Sequence, residues 1–427
     1  ACTRIGIIPV CLNTRTSADE MRKMLEQAKP KALIFQKSYE EQAYELRELN
    51  IQRQLYCIDE ASRLSSSFDQ LLDEDSSLLI EPQPAVDDAW VIIPTAAVDG
   101  IPKGALLSQR NVMASVEVHM HHFGRESIKG HLMALPIFHV MGLTSAWATF
   151  ISGGKNVLLK QFDEKLAVKL IDVEDLTYFG SFPPVMERLL DTAKESGSAL
   201  ETLKLVYGLE GAENINRLQE ETGAVFWTGF GQAETTGFVT ASPASERPGA
   251  SGSPSLINSV SVVNEADQHL PAGEEGEIVV RGENVFLEYW KMSDATEYTH
   301  RNGWHHTGDI GRFDEDGYLW YVKRKAEKEL IKSGGENVYP GEVETVLLKH
   351  PKIEECCVFG VPDKTWGEAV KAICVLSNDT ELSSEEVRNY VGEQIAGFKR
   401  PREVIFVREL PYEKNQIARD KVKAKWG

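Results

Sequence analysis

The residues most suited to chemistry lie between positions 306 and 340, in the stretch HTGDIGRFDEDGYLWYVKRKAEKELIKSGGENVYP. A carboxylate at Asp309 follows Thr-Gly, and a lone guanidinium at Arg324 follows an apolar segment. A run of charged residues then leads to a loop with two glycines, Gly334 and Gly335. Such a run is typical of an exposed linker between two domains. A more specific interpretation is a hinge that places an acid and a base on either side of a nucleotide.

Two local signals predict how this stretch folds. The pair Asp316-Gly317 predicts a tight hairpin turn, because Gly accepts positive φ. The residues that follow, 318–322, are mostly β-branched or aromatic and predict the returning strand. The sequence therefore predicts a hairpin that leads into the charged segment.

The segments TGD, a following Arg and SGGENVYPGEVE resemble, in this order, the adenylate-forming superfamily. That superfamily includes acyl-CoA synthetases, peptide-synthetase adenylation domains and firefly-type luciferases. The resemblance implies that Asp309 holds the ribose hydroxyls of ATP and that Arg324 contacts the ribose and the phosphates. It also implies a pivot near residues 325–328, about which a C-terminal domain rotates. After that rotation, Gly334, Gly335 and Glu336 would face coenzyme A.

The resemblance extends to an apolar strand and a loop at residues 90–104. Residues 95–104 align with the superfamily's phosphate loop, T-S-G-T-T-G-x-P-K-G, which implies phosphate contacts at Thr95, Gly100 and Lys103. Where the superfamily has Ser, Gly and two Thr, this chain has Ala96, Ala97, Val98 and Asp99. Because Ala does not take positive φ cheaply and the new carboxylate adds an anion, we expect pyrophosphate to be held differently here.

A second Gly-rich turn, at residues 229–237, resembles the superfamily motif Y-G-x-T-E. The resemblance implies that Phe230 stacks on adenine, a contact that any aromatic face can make. It implies that Glu234 binds Mg²⁺, a hard cation that prefers oxygen ligands, and that Gly231 and Gln232 lie against the nucleotide. Ala233 stands where the superfamily has a Thr whose hydroxyl contacts the α-phosphate.

Two further loops complete the site that the resemblance implies. Gly208 matches a G-G-A-P type loop that packs beside adenine. His139, in an aromatic-His-x-x-G segment, is expected to orient the substrate carboxylate, and Met141, Gly142 and Trp147 are expected to wall the acyl pocket. Without the resemblance, a lone His and a stripe of Met and aromatic residues are more typical of an ordinary core.

Near the C-terminus, the superfamily places a catalytic Lys in a G-K-I setting that follows Leu-Pro. Aligning on Ile417 puts Gln416 at that position. A Gln stabilises a developing phosphate charge less than a cation does. Lys414 is an alternative cation two residues earlier, and an inert tail lysine is the other interpretation.

Composition limits the classes of function. The chain has 427 residues, of which 42% are hydrophobic, and this length predicts more than one domain. A net charge of −19 argues against nucleic acid as a partner. No apolar run is long enough to span a membrane. The six cysteines form no CxxC pattern, which predicts reduced thiols in a cytoplasmic protein rather than disulfides or zinc.

The order of the predicted elements indicates an α/β fold. A capping box at Ser17 and Glu20 begins a helix, and residues 32–35 predict the strand that follows, which favours a mostly parallel sheet. With the resemblance, we expect a large N-terminal AMP-binding domain over residues 1–324, built of mixed α/β sheets and a β-subdomain. A smaller, mobile α+β lid domain is expected over residues 325–427. The first segment that superfamily members normally carry is expected to be missing.

The function that the resemblance implies is an acid–CoA ligase that depends on ATP and Mg²⁺. It would activate a carboxylic acid, of the fatty or a related type, as an acyl-adenylate and transfer the acyl group to coenzyme A. Two alternatives stay open: an adenylation domain that loads a carrier protein, and a degenerate member that binds nucleotide or acyl-CoA without turnover. The second is motivated by Ala96, Ala97, Ala233 and Gln416. The sequence decides neither the identity of the acid nor whether the chain is a homodimer.

Overall fold

The computed structural model describes residues 2–47, 54–59, 65–71, 84–95, 103–324, 330–377, 380–413 and 416–427. The helices are α1 (Ala18–Ala28), α2 (Glu40–Arg47), α3 (Gln109–Phe123), α4 (Val140–Ile151), α5 (Glu164–Val173), α6 (Val185–Ser196), α7 (Ala212–Thr222), α8 (Ser293–Thr299), α9 (Pro340–Leu347), α10 (Ser384–Gln394) and α11 (Arg419–Trp426).

The strands of the N-terminal domain are β1 (Ala32–Phe35), β2 (Gln54–Cys57), β3 (Ser66–Ser67), β4 (Ala89–Thr95), β5 (Lys103–Ser108), β6 (Gly130–Met133), β7 (Lys155–Leu158), β8 (Tyr178–Ser181), β9 (Leu205–Gly208), β10 (Val225–Gln232), β11 (Gly237–Pro243), β12 (Ser253–Pro254), β13 (Asn258–Val263), β14 (Gly276–Gly282), β15 (Glu288–Tyr289), β16 (His300–Arg301), β17 (Trp304–Phe313) and β18 (Leu319–Arg324). Those of the C-terminal domain are β19 (Ile331–Ser333), β20 (Glu336–Val338), β21 (Ile353–Asp363), β22 (Gly367–Leu376), β23 (Glu403–Val407), β24 (Tyr412–Glu413) and β25 (Gln416–Ile417).

The largest sheet has the strand order β12-β11-β10-β9-β8-β6-β7. Strands β6 to β10 run parallel, because each is joined to the next by a helix that crosses the sheet. Successive side chains of a strand point to opposite faces. Phe179 therefore packs with α5 and α6, whereas Tyr178 packs with α3 and α4. The predicted α/β class is confirmed.

Helix α1 begins at the predicted capping box. The Ser17 hydroxyl accepts from the Glu20 N–H at 3.3 Å, and the Glu20 carboxylate accepts from the Ser17 N–H at 2.8 Å. The apolar face of α1 places Met24 against Ile92 and Leu106 of the β4–β5 hairpin. The helix is thereby fixed to the hairpin that ends at the predicted phosphate loop.

The β-subdomain has the order β13-β14-β17-β16, with β18 beside β17. Asp316-Gly317 lies at the turn between β17 and β18, where Gly317 has a φ of +82°, so the predicted hairpin is confirmed. The register places the Cα of Asp309 opposite the Cα of Arg324. The acid and the base of the first sequence stretch therefore lie on adjacent strands.

The C-terminal domain is the smaller one, as expected. Its sheet has the order β20-β19-β22-β21, with β23 beside β22. Along β21, Cys356 and Val358 face α9 and α10, whereas Cys357 and Phe359 face α11. Residues 325–329 lie outside the described residues, so the domain boundary after position 324 and the pivot stay predictions. None of the described helices is long and apolar enough to cross a membrane.

Candidate active site

A cavity of about 1340 Å³ lies between the N-terminal and C-terminal domains. Its wall includes the residues at the carboxyl ends of β6, β8, β9 and β10. Open α/β sheets bind ligands at this end of their strands. The C-terminal domain closes the other side with α9 and the loop at residues 333–337. We therefore take this cavity as the candidate active site.

The phosphate side of the cavity joins a carboxylate and a lysine through one tyrosine. The Tyr289 hydroxyl donates to the Glu234 carboxylate at 2.7 Å, and the Lys103 ammonium lies 5.0 Å from the centroid of the Tyr289 ring. Thr95 pairs with Lys103 across the β4–β5 hairpin, and all four residues line the cavity. Gly100 and the substituted positions 96–99 lie outside the described residues. The sequence did not single out Tyr289.

The side of the cavity predicted to hold the ribose is built around Asp309, which is 1% exposed. The side-chain amide of Gln232 donates to the Asp309 carboxylate and, at 3.1 Å, to the carbonyl oxygen of Thr307. Behind them, buried Glu277 accepts from the backbone N–H of Gly308 at 3.0 Å. These bonds hold residues 307–309 of β17 and the end of β10 together, and the contacts of Asp309 and Gln232 with a nucleotide stay predictions.

The adenine side contains the predicted aromatic ring and a second one. Phe230 is 7% exposed and lines the cavity. Its ring centroid lies 6.4 Å from that of Tyr321, with 27° between the ring planes. Gly208 also lines the cavity and has a φ of +138°; a Cβ there would lie 2.0 Å from the carbonyl oxygen of Ser181. Only Gly fits this position. The second ring, Tyr321, also lines the cavity and was not singled out by the sequence.

The acid side begins at His139, which immediately precedes α4 and lines the cavity. Its Nε2 lies 3.4 Å from the Glu336 carboxylate of the C-terminal domain. Arg15 donates to the same carboxylate at 2.7 Å, and Asn13 donates at 3.2 Å. Burial disfavours the charged form of Glu336, but His139 and Arg15 more than offset it and lower its pKa. Glu336 is therefore an ionised bridge between the domains.

Of the three residues predicted to wall the acyl pocket, one lies at the cavity. Met141 lines the cavity. Gly142 instead lets α4 pack closely on the preceding turn, since a Cβ there would lie 2.3 Å from the carbonyl oxygen of Pro136. Trp147 packs edge-on against Trp90 at 5.5 Å. The prediction for Gly142 and Trp147 was wrong, because α4 turns these positions toward the core.

A buried tyrosine, Tyr207, lines this part of the cavity. Tyr207 is 0% exposed to solvent yet lines the cavity, and its ring lies 6.0 Å from that of Phe238. His119 Nδ1 must carry the proton, because its partner at 2.8 Å is the Ser115 carbonyl oxygen. Ser145 then donates to His119 Nε2 at 3.3 Å and accepts from the Tyr207 hydroxyl at 2.6 Å. Burial lowers the pKa of His119 to about 4, so this chain of bonds is neutral.

The acceptor side is formed by the glycines of the SGGEN loop. Gly334 and Gly335 have φ of +58° and +83°. A Cβ on Gly334 would lie 2.7 Å from the Trp366 ring, and one on Gly335 would lie 3.2 Å from the Phe182 ring. Two glycines thus let the loop enter the cavity between one ring of each domain; the contact of this loop with coenzyme A stays a prediction.

For two predicted site residues, Arg324 and Gln416, only the backbone is placed, and their roles stay predictions. Arg324 is placed by its backbone register opposite Asp309. Gln416 pairs with Glu413 across the β24–β25 hairpin, and Lys414 lies outside the described residues. The choice between Gln416 and Lys414 as the counterpart of the superfamily's lysine therefore stays open.

Comparisons with known proteins agree with this geometry. Residues 1–290 match the family model for AMP-binding enzyme, and residues 342–416 match that for the AMP-binding enzyme C-terminal domain. An indoleacetate–CoA ligase from Aromatoleum aromaticum is 31% identical over 424 residues, which cover 96% of this chain and 82% of the ligase.

Solved structures add the arrangement of the domains. The amide bond synthetase McbA from Marinactinospora thermotolerans has a TM-score of 0.89 at 27% identity, over 100% of this chain and 86% of McbA. A double mutant of the o-succinylbenzoate CoA synthetase from Bacillus subtilis, bound to a product analogue, scores 0.86 at 29% identity. The same synthetase with its acyl-adenylate intermediate scores 0.68 at 28% identity. Both alignments cover 99% of this chain and 84% of the synthetase.

This chain therefore superposes more closely on the product-analogue complex than on the acyl-adenylate complex. The two family models match parts of both domains, and the first includes the cavity-lining positions Thr95, His139, Gly208, Phe230 and Glu234. The chain belongs to the AMP-binding enzyme family of the adenylate-forming superfamily.

Proposed function

We propose that this chain is an ATP-dependent acid–CoA ligase, which forms an acyl-adenylate and then transfers the acyl group to coenzyme A. The observation that carries the proposal is the meeting of three sets of residues in one cavity. In this proposal Phe230, Glu234 and Asp309 bind Mg·ATP, His139 binds the acid, and residues 334–336 face the acceptor. AMP-binding CoA ligases use ATP, Mg²⁺ and coenzyme A as cosubstrates. The three sets of residues therefore correspond to Mg·ATP, the acid and coenzyme A.

The charge of the cavity supports anionic substrates. Among the described residues, its wall contains eight lysines and arginines and seven carboxylates, whereas the whole chain has 46 basic and 65 acidic residues. A local balance of charge can attract polyanions even when the net charge is −19. The basic residues of the wall are Arg15, Lys23, Lys103, Arg188, Lys332, Lys349, Lys399 and Arg402.

In the first half-reaction, an oxygen of the acid attacks the α-phosphorus of ATP and pyrophosphate leaves. Both reactants are anions, so the protein must position them and offset their charge. Glu234 would hold Mg²⁺, and Tyr289 fixes that carboxylate. A single carboxylate fits Mg²⁺, which keeps waters and phosphate oxygens as its other ligands. Across the described residues, no cluster of three or more His, Cys, Asp or Glu could hold a metal alone.

In the second half-reaction, the thiolate of coenzyme A attacks the acyl carbonyl and AMP leaves. The domain arrangement supports this step, because the SGGEN loop already reaches the cavity beside His139. Glu336 draws the loop toward Arg15 and His139. The similarity to the product-analogue complex supports the same assignment. Two half-reactions that share one site commonly need such gating by a domain.

We propose a compact, aromatic acid rather than a long fatty acid. The rings of Tyr207 and Phe238 limit the cavity near Met141, and the bond to Ser145 keeps the Tyr207 ring in place. The relatives described above support this choice, since indoleacetate and o-succinylbenzoate are aromatic acids.

The test is a panel of short, long-chain and aromatic acids with ATP and Mg²⁺. We expect acid-dependent exchange of pyrophosphate into ATP, and AMP with an acyl-CoA once coenzyme A is added. No exchange with any acid, from folded protein, would reject the ligase in favour of a degenerate binding protein. Thioester formation only on a carrier protein would favour an adenylation domain.

An amine is a second candidate acceptor, favoured by the structural similarity to an amide bond synthetase. The same acyl-adenylate would then give an amide and AMP. Incubation of the best acid with primary amines, with and without coenzyme A, separates the two. If an amide forms and no thioester does, the acceptor is an amine and not coenzyme A.

A further inference from the structure

A buried lysine joins the two domains at the edge of the cavity. Lys399 lies in the short helical turn Gly397–Lys399 of the C-terminal domain, and its side chain is 6% exposed. Its ammonium donates to the carboxylate of Glu342 at 2.6 Å and to that of Glu20. Glu342 is on α9 of the same domain, whereas Glu20 is on α1 of the other domain. Lys399 therefore has one partner that moves with it and one that depends on how the domains are arranged.

We propose that the Glu20–Lys399 ion pair is a latch that selects the domain arrangement for thioester formation. Both are positioning residues for the second half-reaction: they contribute to the charge of the cavity wall, but neither is assigned a bond to a substrate. This inference rests on the proposed function, because it requires two half-reactions that use different domain arrangements.

Glu20 is oriented before Lys399 reaches it. One oxygen of its carboxylate accepts from the backbone N–H of Ser17 at 2.8 Å and from the Ser17 hydroxyl at 2.9 Å. The other oxygen is the one that accepts from Lys399. Because α1 is packed on the β4–β5 hairpin, formation of the ion pair orders few new side-chain torsions.

The charges of the three groups predict opposite effects of the two carboxylates. Burial disfavours the charged form of Lys399, but Glu342 and Glu20 outweigh it and raise its pKa. Burial and repulsion from Glu20 raise the pKa of Glu342, although Lys399 acts in the other direction. Glu342 therefore opposes the approach of Glu20. Loss of charge at Glu20 should weaken the domain contact, whereas loss of charge at Glu342 should not.

A second interdomain contact of reversed polarity lies beside the latch. There the N-terminal domain supplies the donors, Asn13 and Arg15, and the C-terminal domain supplies the carboxylate of Glu336. In the latch, the N-terminal domain supplies the carboxylate and Lys399 is the donor. Complementary pairs of both signs fix one orientation, because a rotated domain would bring like charges together. Residues 13–20 thus contribute to both contacts with the C-terminal domain, and His139 adds to the one at Glu336.

The test compares the half-reactions in Glu20→Gln. Gln keeps an acceptor for Ser17, so the cap of α1 stays intact, but the charge is lost. We expect thioester formation from preformed acyl-adenylate to slow about tenfold, as for one partly buried ion pair, and pyrophosphate exchange to stay within about twofold. Glu342→Gln is expected to leave the thioester step unchanged or faster. Glu26→Gln, an exposed carboxylate on the same helix, is the matched control.

Three results would overturn the latch. The first is that Glu20→Gln slows both half-reactions equally. The second is that Glu342→Gln slows the thioester step as much as Glu20→Gln does. The third is additivity of Glu20→Gln with Lys399→Met, because residues in direct contact should be coupled. If the unaltered protein catalyses neither half-reaction, the proposed function fails, and small-angle X-ray scattering tests the latch alone. Glu20→Gln should then scatter as a more extended particle than Glu26→Gln, and identical curves would refute the latch.

Discussion

Truncation of Tyr207 to Ala should make the enzyme accept longer acids. The ring is fully buried and lines the cavity, and its hydroxyl is held by Ser145. The neighbouring rings are fixed by one another, since Phe123 stacks on Tyr207 at 5.7 Å and packs edge-on against Phe238 at 6.3 Å. Removal of the Tyr207 ring should therefore leave a space that extends the acyl pocket.

The magnitude follows from the space that the ring occupies. A buried methylene is worth about 0.8 kcal/mol, so an acid longer by about four carbons gains about 3 kcal/mol. That corresponds to roughly a 100-fold change in kcat/KM relative to the compact acid. The variant should lose about 3–5 kcal/mol of unfolding free energy, as buried aromatic residues do when truncated.

The assay is acid-dependent pyrophosphate exchange with a series of aromatic acids that carry lengthening alkyl substituents, on protein shown to be folded by thermal unfolding. Tyr207→Phe keeps the ring and should keep the acid preference, with a loss of about 1 kcal/mol of unfolding free energy for the unmade hydrogen bond. Tyr178→Phe is the matched control, because its hydroxyl donates to the carbonyl oxygen of the same Ser145 at 2.9 Å and it packs in the same core. A folded Tyr207→Ala variant with unchanged acid preference would refute the reasoning.

Three further perturbations test the nucleotide side and the core. Asp309→Asn should raise the KM for ATP about tenfold in pyrophosphate exchange, because charge-assisted hydrogen bonds are the stronger ones. Glu234→Gln should raise the Mg²⁺ concentration needed for half-maximal exchange, since an amide is a weaker ligand for this ion. Burial lowers the pKa of His119 and of His131 from 6.5 to about 4. Each histidine therefore makes its full contribution to the free energy of unfolding above pH 6.5. That contribution falls as the pH falls, by about 2 kcal/mol per histidine at pH 5. Urea unfolding at a series of pH values measures it.

Each of these expectations has a contrary result. An unchanged KM for ATP in Asp309→Asn would remove this residue from the nucleotide site. An unchanged Mg²⁺ requirement in Glu234→Gln would remove the proposed metal ligand. For the histidines, His131→Gln should reduce the dependence of stability on pH, and an unaltered dependence would show that other groups cause it.

Local sequence patterns were sufficient to predict where several helices and turns begin. The capping box at Ser17 begins α1 as expected, and Asp316-Gly317 makes its hairpin. Caps and tight turns involve residues only a few positions apart, so their chemistry is readable in a short window. The order of the motifs likewise indicated the superfamily, and with it the cavity where Phe230 and Asp309 meet.

The contacts that define the pocket and the docking of the domains were decided only by the tertiary structure. Glu20 was predicted as a helix cap, but its second oxygen bonds to Lys399, 379 positions away. The sequence did not single out Tyr207, because its contacts with Ser145 and with the cavity involve residues far apart in the chain. A residue's type and its neighbours in the chain fix local backbone conformation, whereas a partner hundreds of residues away depends on how packed sheets and helices meet in space.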